Sequence, residues 1–102
     1  MIETKAQLQE FLTANANKIR AFGVEQIGVF GSFARSEQDS QSDIDFMVVF
    51  SPGEKTFRHF MDLADFLEEH AGRRIELLTP ESLAEHVRSK ILAQVEYVQL
   101  AA

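Results

Sequence analysis

The chain has 102 residues, 45% hydrophobic and 25% charged, which are values of a globular domain and not of a disordered segment. Ten basic against sixteen acidic residues leave a net charge of −6, and no basic run is denser than Arg73-Arg74. That balance excludes a nucleic-acid surface of clustered lysine and arginine, and suits a basic protein partner or a site that concentrates cations. With no cysteine there is no disulfide or thiolate chemistry, as fits a reducing cytoplasm. The polar start over residues 1–7 lacks the apolar centre of a signal peptide, and the longest apolar run, 46–50, is far too short to span a membrane. Residues 1–102 are therefore expected to form one cytoplasmic domain with no membrane or direct nucleic-acid contact.

Thr4-Lys5-Ala6-Gln7 is a capping box, with Thr4 as N-cap and Gln7 three residues on. Leu8, Phe11, Leu12, Ala16 and Ile19 then recur at helical spacing, and Gly23 is the expected stop. Residues 24–30 predict a strand that ends at Gly31-Ser32, where a short helix over 33–35 opens. The polar stretch 37–42 predicts a loop. Residues 43–50 start with Asp43 and Asp45 and run on apolar on both faces, the pattern of a strand in the middle of a sheet.

Ser51-Pro52-Gly53-Glu54 and Thr56 compete as the start of the next helix. Its stripe of Phe57, Phe60, Met61, Ala64 and Leu67 ends at Gly72. Residues 74–78 predict a third strand, with Glu76 between Ile75 and Leu77. Thr79-Pro80 opens a further helix, with Leu78 and Leu83 as a hydrophobic staple and Leu83, Val87 and Ile91 on its buried face. Val95, Tyr97 and Gln99 alternate as a short edge strand, unless the helix continues. His59, His70 and His86 lack ligand spacing and read as surface residues, and Phe57, Phe60 and Phe66 read as core. The order of elements predicts a single sheet with helices mainly on one side.

Two features carry chemistry. Small residues at a helix start leave backbone N–H groups free to hold a phosphate, and Gly31-Ser32 provides such a start. Alternation along a strand puts Asp43 and Asp45 on one face, where two carboxylates repel unless a divalent cation lies between them. Asp-x-Asp alone also reads as a turn cap; behind a Gly-Ser turn and ahead of an apolar strand it points to nucleotide chemistry.

Gly31-Ser32-Phe33-Ala34-Arg35 and Ser42-Asp43-Ile44-Asp45 resemble the paired blocks of the minimal nucleotidyltransferases (MNT proteins), members of the polymerase-β-like nucleotidyltransferase superfamily. Residues 75–83 and 91–98 look like that family's third-acid strand, following helix and C-terminal segment, so the likeness spans about 20–98. The resemblance implies an α/β (α+β) polymerase-β-like core with a small mixed sheet, and Mg²⁺-dependent transfer of AMP from ATP. It makes Asp43 and Asp45 shared ligands of two Mg²⁺ ions and Glu76 the third acid, where the family usually has Asp. Gly31, Ser32 and Phe33 would hold the phosphates, and Arg35 would neutralise triphosphate charge or contact a partner. Proteins of this kind are typically antitoxins that place AMP on a tyrosine of a HEPN-domain ribonuclease toxin. The competing reading is an antitoxin that works by binding alone. An antibiotic-modifying adenylyltransferase is disfavoured, because no residues remain for an acceptor-binding lobe.

Overall fold

The computed structural model describes residues 1–100 and lays four strands into one mixed sheet: β1 (Val24–Phe30), β2 (Ile44–Phe50), β3 (Ile75–Leu78) and β4 (Glu96–Val98). Their order is β3-β2-β1-β4, with β1 antiparallel to both β2 and β4, and β3 parallel to β2. The strand with two apolar faces, β2, is thus an interior strand, as its pattern requires.

Alternation sorts β2 cleanly. Ile44, Phe46 and Val48 point into the main core, where they meet Ile27 and Val29 of β1 and Leu77 of β3. The helices α1 (Lys5–Ala14), α2 (Ala16–Arg20) and α4 (Phe57–Ala71) supply that core with Leu8, Leu12, Ile19, Leu63, Leu67 and Ala71. The short helix α3 (Gly31–Ala34) adds Phe33 and Ala34. A five-residue helix such as α2 has no stability of its own; burial of Ile19, about 1.5–3 kcal/mol for such a side chain, holds it in place. The opposite face of β2 carries Asp45, Met47 and Val49. No helix among the described residues is long and apolar enough to cross a membrane.

Local signals account for most element ends. Thr4 and Gln7 form the expected capping box, and Gly72 closes α4 in the left-handed conformation at φ 70°. The first helical stretch breaks at Asn15, and Ala21, not Gly23, caps α2; Gly23, at φ 83°, instead makes the bend into β1. Of the two rival starts for α4, Thr56 wins, its hydroxyl accepting from the His59 amide at 3.1 Å. The Ser51 start fails because Gly53 sits at φ 80° inside a turn closed by the Glu54 amide on the Ser51 carbonyl.

Two expectations need correction. Phe57 is 82% and Met61 39% exposed, so the predicted stripe holds at Leu67, Phe60 and Ala64, which are buried or packed on the core, and fails at these two. The buried arc of α4 follows Leu63, Leu67 and Ala71, and Phe57 and Met61 lie roughly 80° and 120° round the helix from Leu67. The helix expected from Thr79 is also broken. Pro80–Ser82 forms a 3₁₀ turn, Leu83 is extended, and α5 (Glu85–Leu92) starts afresh with no fully buried residue. Ser82 takes both backbone groups of Thr79, through bonds of 3.2 and 2.7 Å, and this local bonding displaces the continuous helix. Beyond α5 the edge-strand alternative prevails as β4.

Candidate active site

Register builds the site. Because β3 runs parallel to β2 with Glu76 directly opposite Asp45, the two side chains leave the sheet on the same face. Asp43, just ahead of β2, precedes Asp45 by two residues and shares its side. On the other flank, Phe30 pairs with Asp45, so the β1–α3 turn that follows Phe30 arrives beside the same carboxylate. Gly31 takes φ 72°, and a Cβ there would collide with Asp45 Oδ2. Glycine is therefore required twice over, for its backbone angle and for the close approach.

The acids are not equivalent. Burial, and next the Glu76 carboxyl beside it, push the Asp45 pKa up to about 6; Asp43 adds to the rise and Arg35 opposes it. Glu76 is exposed. Asp43 leans towards Arg74, whose Nη2 lies 3.6 Å from Asp43 Oδ2. Among the described residues no three Asp, Glu or His side chains form a ready-made ligand cluster; the close unit is the Asp45–Glu76 pair.

Ser32 is half-buried at the start of α3, whose first amides have no partner within the helix. The Phe33 ring is fully buried, so only its backbone faces the site side. Arg35 is exposed and donates through Nε to Glu37 Oε1 at 2.7 Å. The loop before Asp43 is pinned internally: Asp39 Oδ1 accepts from the Gln41 amide at 2.8 Å and from the Ser42 hydroxyl at 3.2 Å. Those bonds, the Gln41 amide first, hold the Asp39 carboxyl below its usual range.

Ser40, Gln41, Ser42, Asp43, Arg73 and Arg74 line an open pocket of about 290 Å³. A second of about 310 Å³ lies at the β1–β4 end, between Glu25 and Leu100, away from the acid pair. The structure sets Glu76 opposite Asp45 and the Gly31 turn against Asp45, with Asp43 drawn to Arg74; Arg73 and Arg74 had no place in the site expected from the sequence. Their signal was present as the one basic pair in the chain, directly ahead of the third-acid strand.

A family profile described as the nucleotidyltransferase domain matches residues 8–98. The chain belongs to the nucleotidyltransferase family. Within it, the nucleotidyltransferase is 35% identical over 96 residues to the protein adenylyltransferase MntA of Thermococcus cleftensis, covering 93% of this chain and 96% of that one. A solved structure of a candidate minimal nucleotidyltransferase superposes with a TM-score of 0.70 at 29% identity, covering 86% of this chain and 93% of the other. The fold also matches a chain in the complex of tri-AMPylated Shewanella oneidensis HEPN toxin with MNT antitoxin. There the TM-score is 0.57 at 20% identity, over 89% of this chain and 71% of the matched one. The nucleotidyltransferase thus belongs to the minimal MNT group and has its mixed sheet.

Proposed function

We propose that this nucleotidyltransferase transfers AMP from ATP to a tyrosine hydroxyl of a HEPN ribonuclease toxin and so acts as the toxin's antitoxin. The observation that carries the reading is the Asp45–Glu76 register pair, with Asp43 on the same face and the Gly31 turn against it. The likeness to a protein named as a protein adenylyltransferase supports the choice of AMP and of a protein acceptor.

In this reaction the acceptor oxygen bonds to the α-phosphorus, the bond to the bridging oxygen breaks, pyrophosphate leaves, and the acceptor proton goes to base. Asp43, Asp45 and Glu76 are the residues that would hold Mg²⁺. The donor set fits such an ion: all ligands are hard carboxylate oxygens, and besides burial, which does most to lift the Asp45 pKa to about 6, the repulsion from Glu76 and Asp43 that adds to the rise is what a divalent cation relieves. Bound Mg²⁺ would neutralise charge on the phosphoryl oxygens and orient the attacking group. The Ser32 hydroxyl and the amides of Gly31 and Phe33 would hold the β- or γ-phosphate. Arg35 would give up Glu37 for triphosphate oxygens or a partner carboxylate. AMP on the toxin adds bulk and negative charge where anionic RNA must bind, which ends its function.

Incubation with labelled ATP, Mg²⁺ and a HEPN toxin tests the reading. Label should pass to the toxin with the wild type and fall about 10²-fold or more with Asp43→Asn or Asp45→Asn. Equal transfer by Asp43→Asn would overturn the enzymatic role. Neutralisation that survives Asp43→Ala combined with Asp45→Ala would establish an antitoxin acting by contact alone.

A further inference from the structure

Arg73 has no part in the chemistry assigned above, yet no other side chain among the described residues donates to as many backbone carbonyls. Its Nε bonds the Ile2 carbonyl at 2.9 Å, and its Nη1 bonds the Asp39 carbonyl at 3.0 Å and the Ser42 carbonyl at 2.8 Å. The guanidinium carbon lies 4.9 Å from the centroid of the Phe33 ring. One half-buried side chain thus grips the N-terminal segment, both ends of the 39–42 loop, and the aromatic anchor of α3.

The contacts with the 39–42 loop and with Phe33 lead to different halves of the site. The 39–42 loop runs straight into Asp43, and the next amide, Ile44 N–H, bonds the Arg74 carbonyl at 3.1 Å, so the loop's exit is fixed from the segment that carries Arg73. Phe33 is the buried pivot of the helix that starts with Gly31-Ser32. The neighbouring Arg74 is different: its side chain is 82% exposed and reaches only Asp43. A planar five-donor fork can serve three carbonyls and cover a ring at once; a lysine ammonium on a flexible stem cannot.

We propose that Arg73 is the positioning residue that holds the two halves of the nucleotidyltransferase site in register, fixing Asp43 through the 39–42 loop and the Gly31-Ser32 turn through Phe33. This rests on the nucleotidyl-transfer reading, because the two halves matter to each other only if one triphosphate spans them. Misplacement of about 1 Å at a reacting centre is costly in rate, so the effect belongs on kcat.

Arg73→Lys and Arg73→Ala, assayed with the toxin, ATP and Mg²⁺, should each lower kcat about tenfold or more and leave the KM for ATP within about threefold. In amide hydrogen exchange without nucleotide, both segments 31–34 and 40–44 should exchange faster in Arg73→Lys, while Ile27 and Val48 of the β1–β2 ladder exchange as in the wild type. A lysine variant with wild-type kcat, or a loss confined to the KM for ATP, would overturn the proposal by making Arg73 a charge for the triphosphate. So would faster exchange in 40–44 without 31–34, or equally faster exchange throughout. If the wild type transfers no AMP, the functional reading fails, and the exchange pattern still decides whether Arg73 couples the two segments. If Arg73→Ala does not fold, Arg73→Lys carries both measurements.

Discussion

Asp45 is where a single residue's chemistry is most exposed to experiment. Its carboxyl titrates at about 6 in the folded protein, against an ordinary value of 3.8. The folded state therefore binds this proton more tightly than the unfolded chain. The resulting stability is fully present below about pH 4 and is lost as the pH rises through about 6, so at neutral pH the ionised group works against the fold. Asp45→Asn should raise the thermal midpoint at pH 7.5 in chelator, by an amount worth about 1 kcal/mol after allowing for solvent screening, and should change nothing at pH 3.5. Added Mg²⁺ should stabilise the wild type and not the variant, which thermal melts would read directly. Gly31→Ala combines an unfavourable φ with a clash against Asp45 Oδ2. It should lose about 1–3 kcal/mol of stability and AMP transfer with it. The Gly-Ser pair was legible as the turn that ends β1 and opens a short helix. That Gly31 also makes room for Asp45 was not, because the contact exists only once β1 and β2 have paired.

Element ends divide by the range of the forces that set them. The Thr4–Gln7 box and the Gly72 cap rest on groups within a few residues of each other, and both were readable from the chain. The start of α4 had two candidates with good local chemistry, and a left-handed Gly53 within a turn decided between them. Thr56→Ala should therefore cost about 1 kcal/mol, whereas Ser51→Ala, whose backbone alone makes the recorded bonds, should be nearly neutral in a denaturation series. At the other edge, a Cβ on Gly28 would lie 2.5 Å from Val95 Cγ1 and 2.9 Å from the Glu96 carbonyl. Gly28→Ala should push β4 from β1, cost about 1–3 kcal/mol, and speed amide exchange at Tyr97. The exposed Phe57 and the broken helix after Thr79 escaped sequence reasoning for a related reason. Periodicity reports that a helix has an apolar side, but the sheet beneath selects which arc is buried, and a local Ser82–Thr79 exchange of bonds can outcompete a smooth pattern.

At the scale of the molecule, the net charge of −6 would assist association electrostatically if the proposed RNA-binding toxin presents a basic surface. Its on-rate should fall as ionic strength rises, while AMP transfer within the formed complex changes little; stopped-flow binding at several salt concentrations separates the two. The sequence by itself determined the first three strands, the start of α1 and the end of α4, the interior place of β2 and the kinship of the Gly31-Ser32 and Asp43-Ile44-Asp45 blocks, because capping, alternation and turn chemistry act over a handful of residues. Only the tertiary structure decided which acid meets which. A slip of one residue in the β2–β3 register would turn Glu76 into the core, and no short-range signal sets that register. It comes from Ile44 packing with Ile75 and Phe46 with Leu77 on the buried face, so the apolar side of the sheet aligns the acids on the other.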